Sequence, residues 1–314
     1  RISPQTRERI RRIAAEMGYT PSLVARSLVT QRTHTLGLVV TTISDPFVDR
    51  IVDGIEDMAT TTGYSVFLCS SHADPEREMS IVEMFHRRRV DGVIVLASRV
   101  GHLYSKRLQE LGVPIVLINS QANGEYLYSV SADDEGGARR AVRHLLELGY
   151  RRIGYIGSGF RPPSNQRRLA GYRAELEEAG IPFDPRLVIV PNTRRDLENG
   201  RAAIRPLLMA GATAVFCYND RTAIGVLSGA RDLGIPVPDS LSVVGFDDIE
   251  ASWYVTPSLT TIHQPIADMA RAAVEMMATV IRQKNAEAAP HRLLDFSLIR
   301  RQSDAAPRRR PREI

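Results

Sequence analysis

L-G-L-V-V at 36–40 and F-V-D-R-I-V-D-G-I-E-D-M-A at 47–59 form the stretch that decides the predicted fold. The first run is short and apolar, which is typical of a buried strand, and the second has apolar residues at helical spacing. Apolar runs follow at 64–69, 92–97 and 114–119, and helical patterns lie between them at 75–88 and around Tyr104–Leu111. Strands that alternate with helices form βαβ units, so we predict a parallel sheet with helices on both faces.

The same alternation begins again after 129–132 and ends near residue 246. We therefore predict an α/β fold with two similar open parallel-sheet subdomains and a ligand cleft between them. A helix at 265–282 and a strand pair at 292–299 come last, and they could return to either sheet. We assign 34–131 plus 264–290 to the first subdomain and 132–263 plus 291–303 to the second.

Two helices precede this body. Ser3-Pro4 is a typical helix start, because Ser caps well and Pro suits the first turn. The helix that follows has one apolar stripe and ends before Gly18. Thr20-Pro21 opens a second, very short helix that is apolar on more than one side. Such helices are marginal alone, so we expect both to need packing partners.

Charge is concentrated at the ends of the chain. The overall net charge is +5, but 1–32 carry a net +5 and 300–314 a net +4, which leaves −4 for the rest. A polyanion would therefore meet the ends of the chain. We interpret 304–314 as a solvated basic tail.

Several functional classes have no sequence support. No run of eighteen apolar residues and no signal-peptide core occur, which predicts a cytoplasmic protein without membrane contact. G-Y-I-G-S-G at 154–159 has the wrong spacing for a dinucleotide loop and is interpreted as a tight turn. The seven His and two Cys residues have no metal-ligand spacing, and no Ser lies in a nucleophile elbow. We predict neither enzyme activity nor a cofactor.

Polar residues cluster where predicted strands end, at the edge that faces the cleft. Phe47 and Tyr218 lie near them in the sequence. Hydroxyl, amide and carboxylate groups beside an aromatic ring suit a polyhydroxylated small molecule. These polar positions are 42–45, 70–71, 98–99, 119, 219–220 and 247–248.

Segments along the whole chain resemble the LacI/GalR family of bacterial transcription regulators. They include R-I-S-P-Q-T-R-E-R-I (1–10), G-Y-T-P-S-L-V-A-R-S-L (18–28), N-D-R-T-A-I-G (219–225), S-V-V-G-F-D-D (242–248) and P-S-L-T-T-I-H-Q-P (257–265). The resemblance implies a type I periplasmic-binding-protein-like core, a homodimer or larger assembly, and operator DNA as partner. The subdomains would carry the small-molecule effector between them.

The resemblance also assigns the N-terminal helices. Residues 1–19 would be the last part of a helix-turn-helix head whose first helices precede Arg1, an expectation that fits the absence of an initiating Met. Residues 20–30 would be the hinge helix that enters the minor groove. Leu28 matches the family's apolar wedge, while Ala25 and Arg26 match its flanking contacts. Ser22 stands where the family usually has Asn.

The family's effector site maps onto nine positions of this chain. A neutral sugar is the first interpretation, and a sugar acid or phosphate bound by two arginines is the alternative. Arg195 lies near the place where some sugar-binding members have an aromatic residue. The implied effector contacts are Asp45, Phe47, Ser98, Asn119, Arg168, Arg195, Asn219, Asp247 and Gln264.

We therefore predict a ligand-responsive, DNA-binding transcriptional regulator, most simply a repressor. The rival interpretation is a periplasmic sugar-binding protein of a transport system, which shares the two-lobed core. The basic helix and the short apolar helix at 1–30 favour the regulator, because a secreted binding protein has no use for them.

Overall fold

A computed structural model describes residues 3–19, 23–98, 100, 112–120, 127–282 and 291–307, and side chains from Ser27 onward in the second range. The helix predicted around Tyr104–Leu111 lies outside these ranges. The ten α-helices of the described residues are α1 Pro4–Glu16, α2 Leu23–Thr30, α3 Pro46–Thr61, α4 Pro75–Arg87, α5 Asp134–Glu147, α6 Pro162–Glu178, α7 Asp196–Met209, α8 Asp220–Asp232, α9 Ala251–Tyr254 and α10 Ile266–Arg282. Their twelve strands are β1 Thr35–Val40, β2 Ser65–Ser70, β3 Gly92–Leu96, β4 Ile115–Ile118, β5 Leu127–Ala132, β6 Ile153–Ile156, β7 Val188–Ile189, β8 Ala214–Cys217, β9 Ser242–Asp247, β10 Thr260–His263, β11 His291–Leu294 and β12 Ser297–Ile299.

The first lobe is built on a six-stranded sheet in the order β11-β5-β4-β3-β1-β2. Every pairing in it is parallel. Helices α3 and α10 pack together beside this sheet, and α4 contacts β1. The four inner strands are almost wholly buried, which explains the Val, Ile and Leu runs of β1, β3 and β4. Gly37 of β1 leaves the space that the Phe85 ring of α4 occupies.

The second lobe repeats this plan with a sheet in the order β12-β10-β9-β8-β6-β7. Only the β10–β12 pairing of the described strands is antiparallel. Helices α5 and α6 pack as one pair and α7 and α8 as another. The predicted fold class, two similar open parallel-sheet subdomains preceded by short helices, is confirmed.

Within the described ranges, the chain crosses between the lobes three times. The crossings lie between β5 and α5, between β10 and α10, and between β11 and β12. The last one corrects the predicted division, which gave 291–303 to the second lobe. His291–Leu294 instead extends the first sheet beside β5, because its backbone pairs with 129–132, and only Ser297–Ile299 returns to the second sheet.

The predicted start of the basic tail, residue 304, is too early in the chain. Asp304 is buried, and its carboxylate bonds the His144 imidazole at 2.6 Å and the Thr260 hydroxyl. The next carbonyl, of Ala305, accepts a hydrogen bond from the Tyr150 hydroxyl at 2.9 Å. Residues 301–307 are therefore part of the second lobe, and 308–314 lie outside the described ranges.

Helix α6 begins at Pro162, seven residues before the apolar helical spacing of this segment starts at Leu169. Pro162 occupies the first helical turn, where its fixed φ is favourable. The sequence pattern missed this turn because Asn165 and Arg168 are polar residues that point inward and are buried, so the apolar spacing starts only after them.

The N-terminal helices pack little against the rest of the described residues. Ser3 caps α1 by accepting the Thr6 amide hydrogen bond at 3.2 Å, as predicted, and no residue of α1 is buried. Its apolar stripe is exposed, with Ile10 at 52% and Met17 at 78% of full accessibility.

The buried Asp304 contacts generate a stability test. Asp304→Ala leaves the His144 and Thr260 side chains without their partner, so we expect the free energy of unfolding to fall by about 2 kcal/mol. Urea denaturation measures this change. Asp232→Ala, which removes an exposed ion pair with Arg201, is the control and should change it by less than about 0.5 kcal/mol. Equal effects of both variants would contradict the structural role of 304–307.

Candidate functional site

A cleft lies between the lobes at the carboxyl ends of both sheets. In open parallel sheets this is the edge where ligands bind. Both lobes contribute side chains to it. The lining residues are Thr41, Phe47, Ala73, Ala97, Ser98, Asn119, Phe160, Arg161, Pro162, Pro163, Ser164, Arg168, Tyr218, Asp247 and Gln264.

Three strands end on cleft residues with a left-handed backbone. Ala97 follows β3 with φ 52°, Asn119 follows β4 with φ 55°, and Asp247 ends β9 with φ 115°. Non-glycine residues in such conformations cost about 1–3 kcal/mol each, and they concentrate at functional sites. The strained turns direct these residues into the cleft at the point where the sheets end.

Arg168 forms the floor of the cleft in the second lobe. Its Nε donates to Asp134 Oδ1 at 2.8 Å, and one Nη donates to the Tyr218 carbonyl. The guanidinium also stacks on the Phe246 ring, with its carbon 3.6 Å from the ring centroid. A buried cation is tolerated only with such compensation, and Arg168 is 3% exposed.

Asp247 and Gln264 lie beside Arg168 and form a polar pair. The Gln264 amide donates to Asp247 Oδ1 at 2.6 Å, and an Arg168 Nη lies 3.7 Å from the same oxygen. Burial raises the pKa of Asp247 to about 7, although the Arg168 charge opposes the shift. The Gln264 side chain is 1% exposed, and its Oε1 accepts no hydrogen bond. A buried acceptor without a donor is costly, so this atom marks a place for a ligand donor.

Charged contacts join the two lobes across the cleft. The Arg161 guanidinium of the second lobe bonds the Asp45 carboxylate of the first. Burial would raise the pKa of Asp45, but the Arg161 charge and the hydrogen bonds from Arg161 and Phe47 outweigh burial and lower it. Arg50 of the first lobe also donates to the Asp248 carbonyl of the second lobe at 2.8 Å. These contacts hold the cleft closed.

The first lobe supplies a wall of neutral polar groups. The Ser98 hydroxyl donates to Glu78 at 2.5 Å and accepts from the Val100 amide at 3.2 Å. Ser120 in turn donates to the Ser98 carbonyl at 3.3 Å. Since the Ser98 proton is committed to the buried Glu78, its oxygen can serve a ligand only as an acceptor.

The structure brings most of the predicted effector residues to this cleft. Asp45 does not line the cleft itself, but its carboxylate bonds the lining residue Arg161. Asn219 instead caps α8, where its Oδ1 accepts from the Thr222 amide at 2.9 Å and its amide donates to Asp196. The predicted residues that line the cleft are Phe47, Ser98, Asn119, Arg168, Asp247 and Gln264.

Arg195, like Asn219, is a predicted effector residue that does not line the cleft. It precedes α7 as its N-cap, and its side chain is exposed and makes no capping bond. The next residue, Asp196, points inward to Asn219, so the Arg195 side chain points away.

Sequence reasoning missed the segment from Phe160 to Ser164. The tight turn predicted at 154–159 gave no indication that site residues follow at the start of α6. Two signals were available, namely that this segment follows a strand end and that it holds an aromatic residue and an arginine. Phe160 supplies the ring that the sequence did not identify near Arg195.

Of the predicted DNA contacts, only Leu28 has a described side chain. It is 76% exposed, and Val29 beside it is 85% exposed. Ser22 and the side chains of Ala25 and Arg26 lie outside the described residues. An exposed apolar pair on a short helix is a surface that requires a partner.

Within the described ranges, no cluster of three His, Cys, Asp or Glu side chains could hold a metal ion. No helix there has the length and apolarity to cross a membrane.

Comparisons with known proteins agree with this architecture. Residues 142–303 match the family model of the periplasmic binding protein-like domain. The chain is 35% identical over 273 residues to the HTH-type transcriptional regulator DegA of Bacillus subtilis, a match that covers 86% of this chain and 80% of DegA.

Solved structures are similar over a larger share of the chain. A complex of the transcriptional regulator CelR with cellobiose has a TM-score of 0.78 and 29% identity, and covers 96% of this chain and 92% of CelR. A LacI family regulator from Enterococcus faecium with bound ribose has a TM-score of 0.77 and 27% identity, and the match covers 87% of this chain and 99% of that regulator. The residues before β1 make up more than a tenth of the chain, so the CelR match includes part of them. The chain thus belongs to the LacI family of ligand-responsive transcriptional regulators.

Proposed function

We propose that this protein is a homodimeric repressor whose operator affinity is controlled by a sugar bound in the cleft between the lobes. The observation that carries the proposal is the unpaired Gln264 Oε1, buried beside Asp247 at the end of both sheets. A sugar hydroxyl would donate to this oxygen and would also reach the Asp247 carboxylate. The cellobiose and ribose complexes of the two structural relatives support a sugar.

The segment between α2 and β1 can transmit lobe movement to DNA. Asp91 of the first lobe accepts hydrogen bonds from the Thr33 amide at 2.8 Å and the His34 amide at 3.0 Å. Arg32 donates to the Ile281 carbonyl at the end of α10 at 3.0 Å. The linker is therefore attached to the first lobe, and α2 must follow that lobe when the cleft opens or closes.

Dimerisation accounts for the exposed apolar surface of α2. A helix of eight residues is marginal by itself, and its Leu28 and Val29 have no cover within the described residues. Two copies side by side would cover this surface and enter the minor groove together. A change in the spacing of the first lobes would separate the two α2 helices and weaken their hold on the operator.

The proposed wedge is tested with Leu28→Ala in the full-length protein. We expect operator affinity to fall by roughly tenfold or more, because a large apolar group no longer enters the duplex. Fluorescence anisotropy with an operator selected from random duplexes measures it. Met209→Ala, an equally exposed apolar residue of the second lobe, is the control and should bind normally. Unchanged operator affinity of Leu28→Ala would refute the wedge.

The proposed effector contact is tested with Asp247→Ala. We expect this variant to bind operator normally but to lose its response to the effector, because the hydrogen bonds to the ligand are gone. Release of operator in a titration with the inducing sugar measures the response. Asp268→Ala, an exposed carboxylate on α10, should respond like the unaltered protein. A normal response of Asp247→Ala would remove this residue from the site.

The buried Asp247 also predicts a pH dependence of stability. Its pKa rises from 3.8 to about 7 on folding, so the folded state holds a proton that the unfolded state has lost between these values. The free energy of unfolding should therefore fall as pH rises from 4 to 7, by up to about 1.4 kcal/mol per pH unit. Asp247→Asn should lack this component. Parallel urea denaturation profiles of the two proteins would contradict the assignment.

A further inference from the structure

Positive charge is concentrated at the end of the first lobe from which the linker to α2 emerges. Among the described residues, the turns and helix ends there contain five arginines and a single acidic residue, Asp91. These segments are 30–34, 62–64, 87–91, 112–114 and 279–282. We infer, in a step that rests on the proposed function, that the arginine turn 87–89 is a second DNA-binding surface, which holds the phosphate backbone beside the groove that α2 enters.

The topology of the first sheet brings these segments together. Strands β1 and β3 are parallel neighbours, with Leu36 opposite Gly92, so the residues that precede both strands lie at one end of the sheet. This end is opposite to the carboxyl ends, where the effector cleft lies. Helix α10 also ends here, because Arg32 of the linker donates to the carbonyl of Ile281 at 3.0 Å.

Hydrogen bonds fasten the turn after α4 directly to the linker. The Thr33 hydroxyl donates to the Arg89 carbonyl at 3.0 Å, and the Asp91 carboxylate accepts from the Thr33 and His34 amides. Helix α2 ends at Thr30, three residues before Thr33, and three residues span at most about 10 Å. The arginine turn therefore lies one short chain segment away from the helix that enters the DNA.

Arg89 stands where six other helices of the described chain have glycine. It follows the C-cap of α4 with φ 57°, and the Arg89 and Val90 amides donate to the His86 and Phe85 carbonyls, as in a Schellman motif. The equivalent left-handed residues after the other helices are Gly18, Gly63, Gly149, Gly180, Gly211 and Gly234. A non-glycine residue in this conformation costs free energy, and such positions concentrate at functional sites. The chain thus carries a charged side chain where glycine would be more stable.

The three guanidinium groups of the turn are available to an anionic partner. Arg87, Arg88 and Arg89 are exposed, and none of their side chains bonds another described residue. Three successive cations repel one another, and the carboxylate of Asp91 is already bonded to the linker. The duplex carries one negative charge per about 1.7 Å of its axis, so phosphates beside the minor groove would offset this repulsion.

The salt dependence of operator binding tests the surface in the full-length protein. In the triple variant Arg87→Gln/Arg88→Gln/Arg89→Gln, we expect operator affinity at physiological salt to fall by roughly tenfold or more. The slope of log affinity against log salt concentration should lose about 0.9 for each phosphate contact, hence about 2 or more per dimer. Fluorescence anisotropy over a series of KCl concentrations measures both quantities. The triple lysine variant keeps the charge and should retain most of the affinity.

A matched triple variant of the second lobe is the control. Arg205, Arg231 and Arg300 are equally exposed, and they lie at the end of their lobe that is opposite to the cleft and remote from the linker. Replacing all three with Gln makes the same change in net charge, and we expect operator affinity to stay within about twofold because salt screens distant charges. Equal losses in the two triple variants would assign the effect to net charge and overturn the surface.

Arg89→Gly separates a DNA contact from a structural role. Glycine suits the left-handed conformation better than arginine, so the urea midpoint of this variant should equal or exceed that of the unaltered protein. Its operator affinity should nevertheless fall by roughly threefold or more, because a phosphate contact is lost in each subunit. Lower stability with unchanged operator affinity would make Arg89 a structural residue and remove it from the surface.

These outcomes are distinct from a failure of the proposed repressor. If Leu28→Ala weakens operator binding and the triple Gln variant does not, α2 binds DNA without the arginine turn, and the inference is overturned while the repressor stands. If the unaltered protein binds no operator at low salt, the proposed function fails and this inference fails with it.

Discussion

The buried guanidinium of Arg168 is the constraint on which the functional half of the molecule depends. A cation this deep is stable only if carboxylates, a carbonyl and aromatic faces surround it, and α5, β8 and β9 each supply one of these partners. Asp134, Tyr218 and Asp247 are therefore held in position by the same charge. The polar groups at this edge of the cleft therefore belong to the same network of partners that stabilises the buried Arg168.

The closed cleft follows from charges of the same kind placed on opposite lobes. Asp45 and Arg161 lie at the starts of α3 and α6 in different lobes, and the buried Asp45 carboxylate would not be stable at this depth without the Arg161 charge. Contacts within the protein itself therefore favour the closed cleft. An effector therefore has to change the equilibrium between the open and the closed cleft. It can do so by bonding polar groups that have no partner in the protein, above all Gln264 Oε1.

The sheets and most of the cleft could be predicted because the relevant signals are local. Apolar runs separated by helical patterns identify parallel strands, and residues after such strands face the cleft, as with Asn119 and Asp247. The direction of a side chain at a helix start is not a local property of composition. Arg195 was predicted to face the ligand, yet the inward turn of its neighbour Asp196 leaves it exposed. The sequence at 301–307 does not by itself indicate burial, because the residues that bond this segment, His144, Tyr150 and Thr260, are remote in sequence.

The third crossing has a consequence for how the protein is made on the ribosome. Strand β5 of the first lobe ends at Ala132, but its edge neighbour β11 begins only at His291. Helix α10, which covers the same sheet, also follows all of the second lobe except β12 and 301–307. The first lobe, although translated first, is consequently completed only after most of the second lobe has been made. Its exposed β5 edge must wait unpaired during synthesis of the second lobe, which makes this interval the period of greatest risk of misassembly.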